Sequence, residues 1–437
     1  MEYLALWMFF ALTVLLFTGF PVAFTLLGTS LAFGLAGFGW AFFNLLPLRI
    51  WGIMSNFTLV AVPLFIFMGL MLEKSGIARD LLETMGKLLG RIRGGLVVSV
   101  ILVGAVLGAS TGIVGATVVT LGLIALPTLI KWGYDHRLST GAITAAGTLG
   151  QIIPPSIVLV LLGDIVGVSI GDLFIGAVMP GLLLVLLYLI YVIVRIRLFP
   201  AEAGTVPMQD EKMREGSPIG RIVWGFLAPV VLILAVLGSI FAGVASPTEA
   251  AGIGASVSAI LCIARRRLTI QVLREVMEAT TQLTSMVFVI LVGAAAFGLV
   301  FRGLGGDTVI RNLLLHIPFG KWGVLTTVMA LVFVLGFFLD FIEITFIHIP
   351  VLAPIMASLG FDPLWFSILF AMNLQTSFLT PPFGFALFYL KGVAPPGVTT
   401  EEIYRGVVPF VLMQLAALAI VAAFPWIATW LPSVLAR

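Results

Sequence analysis

The sequence predicts an all-α polytopic membrane protein built from two inverted repeats, with two re-entrant hairpins and two discontinuous helices. Three observations carry this expectation. Of 437 residues, 61% are hydrophobic and 10% charged, and mean hydropathy is +1.20. Soluble domains carry roughly a quarter charged residues. This chain cannot clothe a water-facing surface, so lipid must cover the difference. Apolar runs near the ~20 residues needed to cross a bilayer follow one another along the chain. Finally, Pro127, Gly133 and Asp135 recur as Pro354, Gly360 and Asp362, and Pro154-Pro155 recurs as Pro381-Pro382, always 227 residues on. Several matches in order at one spacing indicate a duplicated unit.

Taken in order, the first half should hold spans near 3–20, 21–39 and 50–72, a hairpin at about 95–130, a broken helix at 137–163 and a span at 173–198. The first run lacks a basic leader and a small-residue cleavage site, so it reads as a spanning helix rather than a removable signal. Ile77–Leu89 is amphipathic at helical spacing, which suits a helix lying along the interface before the hairpin. The second half should hold spans near 222–242, 248–264 and 276–300, a hairpin at about 322–356, a broken helix at 363–390 and a span at 405–432. Residues 1–198 and 222–437 are then the two repeats, and 199–221, the most polar stretch, is a cytoplasmic connection.

Each half has five crossings besides its hairpin, an odd number, so the second half is inverted. This arrangement puts 18 of the 23 basic residues on one side of the membrane. Cytoplasmic loops are enriched in Lys and Arg, which places both termini outside. A rival scheme, with hairpins at 47–72 and 273–300, sorts the same charges 16 against 7. The net charge of +3 belongs to these loops and does not imply nucleic-acid binding. The single cysteine, Cys262, lies in an apolar run and excludes an internal disulfide.

Chemistry concentrates at the breaks. The first hairpin has the tip Gly108-Ala109-Ser110-Thr111-Gly112, between arms expected to be too short to span. The first broken helix opens at Gly147 to Ser156 around Pro154-Pro155. Proline removes a backbone donor and disfavours helix in the residue before it. Free carbonyls and hydroxyls at membrane depth then need protein, water or a cation to satisfy them. The second half repeats the device at Gly336 to Thr345 and at Asn373 to Gly384. Asp340 and Glu343 are the acids of an otherwise apolar stretch, and a carboxylate there is costly enough to suggest a functional site. Asp340 suits an anionic or outer partner of a cation. His136, His316 and His348 are scattered without metal-ligand spacing. No nucleotide-binding loop or covalent nucleophile motif appears, so the chain reads as a non-enzyme without a cofactor.

The runs Gly108 to Thr117, Gly147 to Ser156, Asn373 to Gly384 and Ser246-Pro247-Thr248-Glu249-Ala250-Ala251 resemble the large membrane subunit of tripartite ATP-independent periplasmic (TRAP) transporters, essentially over the whole chain. The resemblance implies an elevator-type secondary transporter of a bacterial inner membrane, importing an organic acid with sodium as the coupling ion. It implies two partners, a small four-helix membrane subunit and a periplasmic substrate-binding protein. The apolar spans begin at Tyr3, so the small subunit is expected as a separate chain. One sodium site would involve Gly108, Ser110, Thr111 and Gly112 with Thr148 and Pro154, and a second Gly336, Asp340, Thr376 and Thr380. Substrate would sit between the hairpin tips, with Ser110, Thr111, Gln151, Ser156, Glu343, Asn373 and Gln375 as its candidate contacts. Two other functions fit the residues: a stand-alone sodium- or proton-coupled carboxylate symporter, and a membrane scaffold or channel that transports nothing.

Overall fold

A computed structural model describes residues 2–89, 92–204 and 219–435, so the central part of the 199–221 connection lies outside the described residues. Every regular element among them is helical. Helices α1 (Glu2–Phe17), α2 (Val22–Phe38), α3 (Leu46–Met54) and α4 (Ala61–Lys74) open the chain. They are followed by α5 (Ile77–Leu89), α6 (Gly95–Thr111), α7 (Val114–Lys131), α8 (His136–Thr148), α9 (Ile157–Val166) and α10 (Ile170–Leu198). The second series is α11 (Ile219–Phe241), α12 (Pro247–Ala264), α13 (Ile270–Gly303), α14 (Gly306–Leu315) and α15 (Gly320–Leu335). It continues as α16 (Phe341–Ser358), α17 (Pro363–Leu379), α18 (Phe385–Val393), α19 (Thr400–Ala423) and α20 (Trp426–Leu435).

The spacing of 227 residues reappears as helix boundaries. Val114–Lys131 and Phe341–Ser358 begin and end one offset apart, and α8 and α17 begin one offset apart. Both Pro-Pro bonds are cis. The amphipathic α5 corresponds to α14, which meets α15 at 119°. The long α13, 34 residues, stands where the first series has α3, a bend and α4. Ser55 and Asn56 make that bend, with Asn56 accepting from the Thr58 amide and donating to Asp164 at 2.8 Å.

Two packing groups result. Helices α1 and α2 with α13, and α4 with α12 and α13, form an outer frame. The hairpins α6–α7 and α15–α16 pack on α8 and α17, while α19 and α10 press against these broken helices from outside. The halves interlock, because α16 packs on α9 and α18 on α7. Frame and core meet where α4 touches α6 and α9, and where α13 touches α16. Large apolar side chains point outward from the frame, among them Tyr3, Trp7, Phe10 and Ile270. Exposed apolar surface on this scale is a lipid-facing surface.

Two expectations need correction. The hairpin arms are not too short to span: α6 and α7 have 17 and 18 residues, about 26 and 27 Å at ~1.5 Å per residue. Pro127, Pro350 and Pro354 sit inside continuous helices. The hairpins are re-entrant because their tips meet in the interior, as described below. The 405–432 stretch is also not one continuous helix: it breaks at Phe424 before Pro425, and α20 packs on α10.

A cavity between two hairpin tips

The two tips, the two helix breaks and the frame enclose one cavity of about 160 Å³. Tip one contributes Gly112 to Gly115, tip two Asp340 to Ile342, the breaks Gln151, Ile157 and Phe385, and the frame Ile66, Leu283 and Met286. Small residues bring these parts together. A Cβ on Gly108 would lie 2.6 Å from the Gly150 amide nitrogen, and one on Gly69 of α4 would lie 2.6 Å from the Thr111 carbonyl. The counterpart in the second half is Gly336, whose Cβ would overlap the Ser377 hydroxyl. Gly112 turns the first tip at φ +62°, a left-handed conformation that glycine adopts without a Cβ penalty. Its amide bonds the Gly108 carbonyl at 2.8 Å.

Electrostatically the tips differ. Helix α7 starts after Ile113, whose side chain caps nothing. Ser156 precedes α9 but turns its hydroxyl to the Gln151 carbonyl at 2.7 Å, and Gly384 precedes α18, so neither end receives a side-chain cap. The first residues of all three helices line the cavity or its edge. Uncapped N-termini carry partial positive charge and free amides, which favour an anion. Tip two is the opposite. Asp340 caps α16 in a reciprocal box, accepting from the Glu343 amide while Glu343 accepts the Asp340 amide at 3.1 Å. Two half-buried carboxylates therefore stand at tip two, and Asp340 lines the cavity together with the first residues of the three helices.

Gln151 is 1% exposed, and neither its amide nitrogen nor its amide oxygen has a hydrogen-bond partner. A buried amide left without partners costs about 1–3 kcal/mol. The residue lines the cavity wall.

The other residues named from sequence divide into three groups. The hydroxyls of Ser110, Thr111, Thr148, Thr376 and Thr380 each donate to a carbonyl of the preceding turn. A hydroxyl that donates this way keeps acceptor lone pairs, so the Ser110, Thr111, Thr376 and Thr380 oxygens remain able to ligate a cation, whereas those of Thr148 are taken by two side-chain amides, Gln375 and Gln414. Pro154 and Ser156 lie in the first break beside Gln151. Asn373 and Gln375 are held away from the cavity: Asn373 donates to the Met329 carbonyl at 2.8 Å, and Gln375 donates to Thr148 at 3.4 Å.

The last contact reveals a cluster that sequence reading missed. Thr148 and Gln375 are equivalent positions, 227 apart, and touch where the broken helices cross. Gln414 of α19 also donates to Thr148 at 3.4 Å, and the Tyr188 hydroxyl of α10 adjoins all three. All four are at most 1% exposed. A lone glutamine within an apolar helix was the available signal for Gln414. Thr148→Val should strip both amides of their acceptor. The expected loss is about 2–4 kcal/mol for two orphaned donors, read as a lower unfolding midpoint in detergent, whereas Thr148→Ser should stay near wild type.

A family model described as the tripartite ATP-independent periplasmic transporter, DctM component, matches residues 9–427. The C4-dicarboxylate TRAP transporter large permease protein DctM of Pseudomonas aeruginosa is 31% identical over 392 residues, 89% of each chain. The sialic acid TRAP transporter large permease protein SiaM of Vibrio cholerae is 29% identical over 422 residues, 96% of each. Among solved structures, the Alcanivorax borkumensis YdaH transporter superposes with a TM-score of 0.61 at 17% identity, covering 88% of this chain and 89% of that one. With its multi-span helical fold, this chain belongs to the DctM component family of tripartite ATP-independent periplasmic transporters.

Proposed function

We propose that this chain is the large permease of a sodium-coupled system in a bacterial inner membrane, importing an organic acid delivered by a periplasmic binding protein. One observation carries the reading: the cavity between the tips is lined by the first residues of three helices without side-chain caps, by the unpartnered Gln151 and by Asp340, which is bonded to the nearby Glu343. The bare helix ends suit a carboxylate and the acids suit cations. The acid class is supported by the C4-dicarboxylate and sialic acid relatives.

Sodium is written here as a co-transported substrate. The first ion would use oxygens of Ser110 and Thr111 with carbonyls near Gly108, Gly112, Thr148 and Pro154. The second would use Asp340, Thr376 and Thr380 with the backbone at Gly336. The core of hairpins and broken helices would slide against the frame of α1, α2, α4 and α11–α13, carrying the cavity across the membrane. Each net positive charge moved inward gains about 2.3 kcal/mol per 100 mV, so excess sodium over the acid's charge drives accumulation. The repeats would be 1–198 and 222–437, joined by 199–221 on the cytoplasmic side, with both termini periplasmic. A separate four-helix membrane subunit would complete the frame.

The reading is tested by uptake of the labelled acid into proteoliposomes holding both membrane subunits, with the binding protein outside. Uptake should require that protein and an inward sodium gradient. Uptake without it, as a stand-alone symporter would show, or unchanged uptake when potassium replaces sodium, rejects the reading. No uptake in any condition would favour a scaffold.

Asp340→Asn separates the two roles of that residue. Asparagine caps helices as well as aspartate, so a capping role alone predicts wild-type behaviour. Ligation of sodium predicts at least a tenfold rise in the sodium concentration needed for half-maximal uptake, the result expected here. Unchanged sodium activation would leave only the cap.

A further inference from the structure

We propose that a second cavity, between the start of α6 and the end of α10, is a binding site for the headgroup of an anionic phospholipid. The cavity measures about 550 Å³, with Arg93 and Arg197 among walls formed by Ile92, Val98, Ile193 and Ile196. Its two sides are fixed where they meet. Gly94 turns the chain into α6 at φ +78°, and a Cβ there would run into the Ile196 side chain. Both arginines stand at the ends of apolar helices, Arg93 just before α6 begins at Gly95 and Arg197 just before α10 ends at Leu198. In a bilayer this is the level at which hydrocarbon gives way to headgroups.

Among the described residues the positive charge is uncompensated. Neighbouring Arg195 is held by Glu202 at 2.8 and 2.7 Å and lies over the Phe199 ring at 4.5 Å. Arg93 and Arg197 have no acidic partner among the described residues. The guanidinium fork matches phosphate oxygens two at a time. A soluble anion would use the arginines alone and leave the apolar wall wet, with Ile92 at 61% and Ile193 at 43% exposure. A phospholipid satisfies both halves of the cavity, its phosphate on the arginines and the root of its acyl chains on the isoleucines.

The test is titration of the full chain in neutral detergent with dioleoylphosphatidylglycerol, alongside dioleoylphosphatidylcholine and inorganic phosphate, read by native mass spectrometry and by the unfolding midpoint. The phosphatidylglycerol should bind and stabilise, and the other two should not. R93Q/R197Q should weaken binding by about fivefold per arginine. V98F, which fills the apolar part and keeps both arginines, should also weaken it. R274Q, in the first turns of α13, should not. Equal binding to wild type and R93Q/R197Q, or equal weakening by R274Q, would overturn the site. Phosphate binding as tightly as the lipid would reassign the arginines to a soluble anion and overturn it equally.

Discussion

Replacing Gln151 by leucine is expected to reduce uptake roughly 10- to 100-fold while leaving the unfolding midpoint unchanged or slightly raised. The two halves of this result have one cause. Neither amide atom of Gln151 bonds to protein, so no partner is orphaned when the amide is removed. The buried desolvation cost, about 1–3 kcal/mol, disappears with it. If the solute supplies the missing partner, the same energy is lost from binding, which is the stated factor in uptake. A residue that merely packs would behave oppositely, lowering stability and sparing transport. Uptake with the binding protein present, measured beside thermal unfolding, decides between them. Wild-type uptake by Gln151→Leu would remove this residue from the solute site.

Gly108→Val should abolish uptake and lower stability together. The added Cβ would stand 2.6 Å from the Gly150 nitrogen and 2.8 Å from its Cα, and backbone atoms cannot swing aside as a flexible side chain can. The first hairpin must then lift from the break that carries Gln151. Overpacking of this kind costs about 1–3 kcal/mol, and every cavity residue on that tip is displaced. Gly28→Val is the control, because nothing lies within 4 Å of a Cβ there. Substantial uptake by Gly108→Val would mean that the hairpin need not be seated on the break.

Much of this architecture is legible in the sequence because its devices are covalent. Proline cannot continue a helix's hydrogen bonds, so Pro154-Pro155 and Pro381-Pro382 announce the breaks, and their common offset announces the repeat. Gly112 marks the first tip because the turn needs a left-handed residue. The amphipathic Ile77–Leu89 is a helix with the expected bounds. What was not legible depends on rotation and packing. Asn373 and Gln375 are polar residues two apart on one helix, and only the neighbours decide that one reaches Met329 and the other Thr148. Tyr188 and Gln414 come from helices far apart in sequence and meet only through the fold. Helix α13 continues past its apolar run through polar turns that begin at the Thr269 cap and carry an i,i+4 pair, Arg274–Glu278, at 2.7 Å. The asymmetry of the tips was half visible. Asp340 and Glu343 stand out by charge, but their reciprocal capping appears only when α16 is seen to begin at Phe341.

The central claim is that the cavity travels with the tips past a stationary frame, and a cross-link across the cavity tests it most directly. Met286 of the frame helix α13 and Ile113 of the first tip line the same cavity. With Cys262 replaced by alanine, cysteines at these two positions can be joined by a cleavable bis-maleimide. The account predicts that the cross-linked protein binds its partners but loses uptake, and that cleavage restores it. Undiminished uptake with the cross-link complete would contradict the account.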